Sequence, residues 1–249
     1  EKILRSDFLT EGPTVPRFEK TVANYCGANY AVAVNSATSA LHIACLALDL
    51  GPGDWLWTSP NTFVASANCG RYCGADIDFV DIDPKTYNMS VDALSEKLTR
   101  AEKIGRLPKI VIPVHFAGQP CDMPAIHTLS KRYGFKIIED ASHAIGASYN
   151  KIKVGSCTHS DITVFSFHPI KIITTAEGGM IILKDKELAK KLRLLKAFGV
   201  NRNYGERKIP GMYDAEELGF NYRMSEIHAA IGVEQMKKLP SFLVKPAKQ

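Results

Sequence analysis

The chain has 249 residues, 45% hydrophobic and 23% charged, a composition that excludes a disordered or fibrous protein. Its formal charge is +5 and its lysines are scattered rather than gathered into a basic arm, so nothing calls for a nucleic-acid partner. No stretch approaches the ~20 apolar residues that span a bilayer, and the charged residues Glu1, Lys2, Arg5 and Asp7 stand where a signal peptide is apolar; a soluble, cytoplasmic protein off the membrane is expected.

In chain order, a helical pattern over 1–5 starts as though more chain preceded it, and a helix is predicted over 16–25. A β-branched strand over 30–34 turns directly into a helix over 38–48. Strands over 55–59, 77–80 and 110–114 then alternate with helices over 64–73, 91–100 and 123–133. A strand over 135–139 follows, then a strand over 162–167, its return over 179–183, and a helix over 187–198. Last comes an amphipathic helix over 225–239, closed by Pro240 and a short basic tail. Strand and helix taking turns imply crossover connections, hence an α/β fold with a mostly parallel sheet covered on both faces. Ligands of such sheets bind beyond the carboxyl ends of the strands. The six cysteines show no CxxC pair and no Cys/His metal spacing, which reads as reduced structural thiols and no metal.

Four constellations carry candidate chemistry. Ser36, Thr38 and Ser39 lie where the first strand becomes a helix; free amides there suit an anion, and plain helix capping by Ser36 or Thr38 fits equally. Phe63 follows the second strand, either to stack on a planar ring or as core. Asp140 ends the strand over 135–139, where a buried carboxylate would pair a protonated ring nitrogen, and His143 stands three residues on, as a ring contact or a structural residue. Ser166, His168 and Lys171 follow the strand that Asp161 opens, and Thr174 to Gly179 close the loop. A desolvated lysine there could act as nucleophile or base and bond covalently to a cofactor.

Asn35-Ser-Ala-Thr-Ser-Ala-Leu-His42, Glu139-Asp-Ala-Ser-His-Ala144, Ser166-Phe-His-Pro-Ile-Lys171, Glu177-Gly-Gly179 and Leu218-Gly-Phe-Asn-Tyr-Arg-Met-Ser225 occur in one order along nearly the whole chain. In these motifs the chain resembles the DegT/DnrJ/EryC1/StrS family of sugar aminotransferases. The resemblance implies the large domain of the aspartate-aminotransferase fold (fold type I) over 1–239, with 240–249 starting the link to a small C-terminal domain that the chain lacks. It implies pyridoxal 5'-phosphate bonded covalently to Lys171, with Asp140 on the pyridinium nitrogen and Phe63 on the ring face. His143 would lie by the ring hydroxyl, and Thr38, Ser39 and Ser166 would hold the phosphate. Asn221 would reach the phosphate of a neighbouring subunit's cofactor, implying a homodimer with shared active sites.

The family resemblance implies glutamate as amino donor, and the segments 6–13 and 78–84 resemble its pseudaminic-acid branch, which implies a UDP-linked 4-keto-6-deoxy-N-acetyl hexose as acceptor. At Lys196-Ala-Phe-Gly199 the chain departs from the family pattern, where a histidine is expected before the glycine. Two other readings follow from the same residues. A sugar dehydrase of this type carries histidine in place of Lys171, and a cofactor-binding remnant would bind without turning over.

Overall fold

The computed structural model describes residues 1–200 and 213–244. In chain order these form α1 (Thr14–Cys26), β1 (Tyr30–Val34), α2 (Ala37–Ala47), β2 (Trp55–Thr58), α3 (Ala65–Tyr72) and β3 (Asp76–Phe79). There follow α4 (Val91–Lys103), β4 (Ile110–Ile112), α5 (Met123–Tyr133), β5 (Lys136–Asp140), the short pair β6 (Ser148–Tyr149) and β7 (Ile152–Lys153), β8 (Ile162–Ser166), β9 (Gly179–Leu183), α6 (Lys186–Leu195) and α7 (Glu226–Val244).

Local chemistry sets the helix ends. Ser90, Asp122 and Asp185 accept hydrogen bonds from the first-turn amides of α4, α5 and α6, while Gly27 and Gly134 close α1 and α5 at φ 75° and 81°. The start of α1 is capped from a distance: the buried Glu226 carboxylate accepts from the Thr14 and Val15 amides at 2.6 and 3.0 Å. First and last helices are thereby tied together.

Seven strands form one sheet in the order β1-β9-β8-β5-β4-β2-β3, and only β9 runs against its neighbours within it. The exception has a simple cause, because β8 and β9 are joined by a loop without a helix, and a strand returning by such a loop pairs antiparallel. Alternate side chains of each strand serve opposite faces. Val32, Val34, Ile138, Ile162, Val164 and Ile181 share a core with α2, α3 and α6, while Ala31, Ala33, Phe165, Met180 and Ile182 share another with α1 and α7. Trp57, Val111 and Ile137 bury against α4 and α5. The expected mostly parallel sheet flanked by helices is the observed one. No helix among the described residues is long and apolar enough to cross a membrane.

Several boundaries differ from expectation. The pattern over 1–5 gives one 3-10 turn, Ile3–Arg5. Helix α6 stops at Leu195 rather than 198, because Phe198 and Gly199 turn left-handed (φ 65° and 69°) and the Phe198 amide donates to the Phe220 carbonyl instead. Helix α7 runs through Pro240 to Val244, past the boundary expected at 239; a proline removes one amide donor without always ending a helix. The rest of the expected link, 245–249, lies outside the described residues.

Candidate active site

A cavity of about 550 Å³ opens at the carboxyl ends of the strands. Thr38 lines it from α2, Phe63 from the turn after β2, Asp140 and His143 from the end of β5, and Ser166 and Lys171 from β8 and its loop. Side chains separated by more than a hundred residues therefore meet at the place where an α/β sheet presents its ligands.

One end of the cavity is formed by the start of α2. Ser36 is extended and accepts from the Ser39 amide at 3.1 Å, so it caps α2, yet Ser36, Ala37 and Thr38 also line the cavity. The cap does not use up the helix start, because an N-terminal helix turn keeps further amides free after its cap is filled. The close approach depends on Gly179: a Cβ there would stand 2.5 Å from the Ser36 carbonyl carbon and oxygen. Sheet register brings Val34 and Ser166 opposite Gly179 on either side, which places the Ser166 hydroxyl near the same end. Ser39 is not among the lining residues; it is buried and its hydroxyl is bonded to Ser36 Oγ at 3.0 Å.

Asp140 is only 4% exposed. Its Oδ1 accepts from the Ser142 amide at 3.1 Å and the Ser142 hydroxyl at 2.7 Å, and its Oδ2 accepts from the Ser66 hydroxyl at 2.6 Å. A carboxylate offers about four acceptor positions. Among the described residues three are filled, which leaves one on Oδ2 for a donor in the cavity. Next to it on β5, Glu139 points to the other face and accepts from His115, Ser160 and Thr163; burial raises its pKa, but these bonds hold it below the ordinary carboxylate range. The Cys121 amide donates to His115 Nδ1, so Nε2 carries the proton given to Glu139 and the ring is fixed in one tautomer.

Lys171 sits in the loop between β8 and β9, which is closed at its base by the bond from the Phe167 amide to the Gly178 carbonyl and by that from the Thr175 amide to the Phe167 carbonyl. Phe167 and Ile173 are buried on either side of it, each worth ~2–3 kcal/mol of burial. The amine is hydrogen-bonded to His143 Nε2. Burial pushes the Lys171 pKa below the ordinary lysine value, opposed by the Asp140 charge. Burial and then the Lys171 charge likewise lower His143, again opposed by Asp140. Phe63, 76% exposed, is not core; its ring is free at the cavity wall, available to a planar ligand.

Asn221 lies outside this cavity. It is exposed, bridges Ala197, and accepts from Arg223 Nε at 3.0 Å. Three residues that touch the site chemistry escape sequence reasoning: Ser66 and Ser142 on Asp140, and His115 in the wall. Ser142 could have been found, since a residue two past an aspartate commonly bonds back to its carboxylate. Ser66 gives no such signal. All six cysteines are buried and free.

The sequence model of a family described as "DegT/DnrJ/EryC1/StrS aminotransferase family" matches residues 1–248. GDP-perosamine synthase of Caulobacter vibrioides is 42% identical over 93% of this chain and 58% of its own length. The spore coat polysaccharide biosynthesis protein SpsC of Bacillus subtilis is 40% identical over 95% of the chain and 59% of its own. Among solved structures, Helicobacter pylori PseC, described as an aminotransferase of pseudaminic-acid biosynthesis, superposes with a TM-score of 0.87 at 32% identity, over 96% of this chain and 62% of that one. The chain thus spans about three-fifths of the length of the curated relatives it matches.

Proposed function

The chain belongs to the DegT/DnrJ/EryC1/StrS aminotransferase family, and from that premise we propose that it is a pyridoxal-phosphate-dependent sugar aminotransferase. The observation that carries this reading is one cavity shared by the Lys171 amine, the Asp140 carboxylate and the start of α2. These groups match the three parts of the cofactor: an aldehyde for the amine, a ring nitrogen for the carboxylate, a phosphate for the helix amides. The open acceptor position on Asp140 Oδ2 and the close approach required at Gly179 fit that group on structural grounds.

When bound, the cofactor supplies an electron-withdrawing ring that takes up the electron pair left when a C–H bond beside nitrogen breaks. The chain's own residues do the rest. Asp140 keeps a proton on the ring nitrogen through a charge-assisted hydrogen bond. Lys171, the amine that would hold the cofactor, would serve as the base that takes up a proton in the site and gives it back. His143, whose pKa desolvation and the Lys171 charge lower, is hydrogen-bonded to the lysine and would lie by the ring hydroxyl. Thr38 and Ser166 hold the phosphate with the amides of α2, Ser39 acts through Ser36, and Phe63 covers one ring face. Asn221, exposed and away from this cavity, serves the cofactor of a second copy in a homodimer with shared sites. Residues 1–239 act as the cofactor-binding large domain. Free buried thiols are in keeping with a cytoplasmic setting.

For the substrate, the reading is transfer from glutamate to C4 of a UDP-linked 4-keto-6-deoxy-N-acetyl hexose, supported by the likeness to PseC. A GDP-linked acceptor is the second reading, favoured by the relative named for GDP-perosamine. Incubation of the chain with pyridoxal phosphate, glutamate and either keto sugar, followed by mass spectrometry, decides between them. An aminated UDP sugar is expected. Product from the GDP sugar alone overturns the nucleotide assignment, and cofactor uptake without any product supports a non-catalytic binding unit instead.

A further inference from the structure

We propose that Thr62 and Ser66 form a positioning relay that holds Asp140 in register with the turn carrying Phe63. This rests on the cofactor reading above. The Ser66 hydroxyl lies 2.6 Å from Asp140 Oδ2, and Thr62 Oγ1 lies 2.8 Å from Ser66 Oγ. As a carboxylate, Asp140 has no proton to give, so Ser66 donates to it. Having spent its one proton there, Ser66 must accept from Thr62. The chain of bonds therefore has a fixed direction, Thr62 to Ser66 to Asp140, and it starts at a residue that lines the cavity.

The two oxygens of Asp140 are held by different parts of the fold. Ser142, two residues along the same turn, fills Oδ1 with two donors, a local arrangement that follows β5 wherever it goes. Oδ2, the oxygen with an acceptor position to spare, is oriented among the described residues by Ser66, which lies on α3, 74 positions away. Ser66 is fully buried. Phe63 lies between Thr62 and Ser66, so the hydrogen bonds that fix the carboxylate also fix the turn presenting the exposed ring. Ring face and ring nitrogen of a planar cofactor would thus be met by groups coupled through the turn that enters α3, where the Ser66 amide donates to the Phe63 carbonyl at 3.2 Å.

Thr62 and Ser66 touch the reaction through Asp140, so the test reads the cofactor rather than activity. The parent, Thr62→Val, Thr62→Ser and Ser66→Ala are loaded with pyridoxal phosphate labelled with nitrogen-15 in the ring. Cofactor affinity and the ring-nitrogen chemical shift are then measured. Thr62→Val and Ser66→Ala are expected to bind about tenfold more weakly, with the shift displaced toward the unprotonated form, while Thr62→Ser restores the parent values. Thr62→Val keeps the test decisive should the buried Ser66→Ala chain fail to fold. Parent-like affinity and shift in Thr62→Val, or a Thr62→Ser chain as impaired as Thr62→Val, overturn the relay alone. A parent chain that takes up no cofactor overturns the cofactor reading and the relay with it.

Discussion

Lys171→Arg is expected to abolish transamination, lowering turnover by ~10³-fold or more, while the chain still folds and takes up pyridoxal phosphate without a covalent bond. Arginine matches the length and charge of lysine, but its guanidinium does not give up its proton in a protein. It can neither attack the aldehyde nor shuttle a proton between carbons. The same contrast appears in pH. Burial lowers the Lys171 pKa, so the neutral amine forms at lower pH than on a solvent-exposed lysine near ~10.4. Covalent capture of the aldehyde should therefore accelerate as pH rises through that lowered value and level off at lower pH than with an ordinary lysine. Stopped-flow absorbance on the parent shows this rise; in Lys171→Arg the trace stays flat at every pH.

Asp140→Asn is expected to reduce turnover roughly 10²- to 10³-fold with cofactor still bound. Asparagine keeps the size of aspartate but loses the charge that holds the ring nitrogen protonated, and without that proton the ring withdraws electrons poorly. It also turns one acceptor oxygen into a donor. Ser142 gives an amide and a hydroxyl proton to one side, so the new N–H group faces Ser66, whose hydroxyl must turn from donor to acceptor and reverse its bond with Thr62. Replacing the charge-assisted bonds by neutral, reversed ones costs about 1 kcal/mol, which should appear as a lower melting temperature for the apo chain as well as a slower reaction. An Asp140→Asn chain with parent turnover would remove the carboxylate from the chemistry.

The parts of the site that the sequence exposes are those fixed by short-range patterns. Asp140 and Lys171 stand at or just past strand ends, and apolar runs mark those ends without any knowledge of partners. Thr38 and Ser36 are visible because a β-branched run breaks into a helix of small residues. Ser66 is invisible for the opposite reason: a serine on the inner face of a short helix looks like any small core residue until Asp140, on another element, comes into view. Glu226 caps a helix 212 positions away, beyond the reach of any local rule. The end of α7 is misjudged because Pro240 reads as a stop in sequence. Likewise α6 ends early through a left-handed pair, Phe198 and Gly199, that helical periodicity does not register.

Borohydride reduction of the chain after incubation with pyridoxal phosphate, followed by digestion and peptide mass spectrometry, interrogates the covalent site itself. A single modified peptide, carrying the phosphopyridoxyl mass on Lys171, is the outcome required by an amine that shares its cavity with Asp140. Label spread over surface lysines, or concentrated on any lysine other than Lys171, contradicts it.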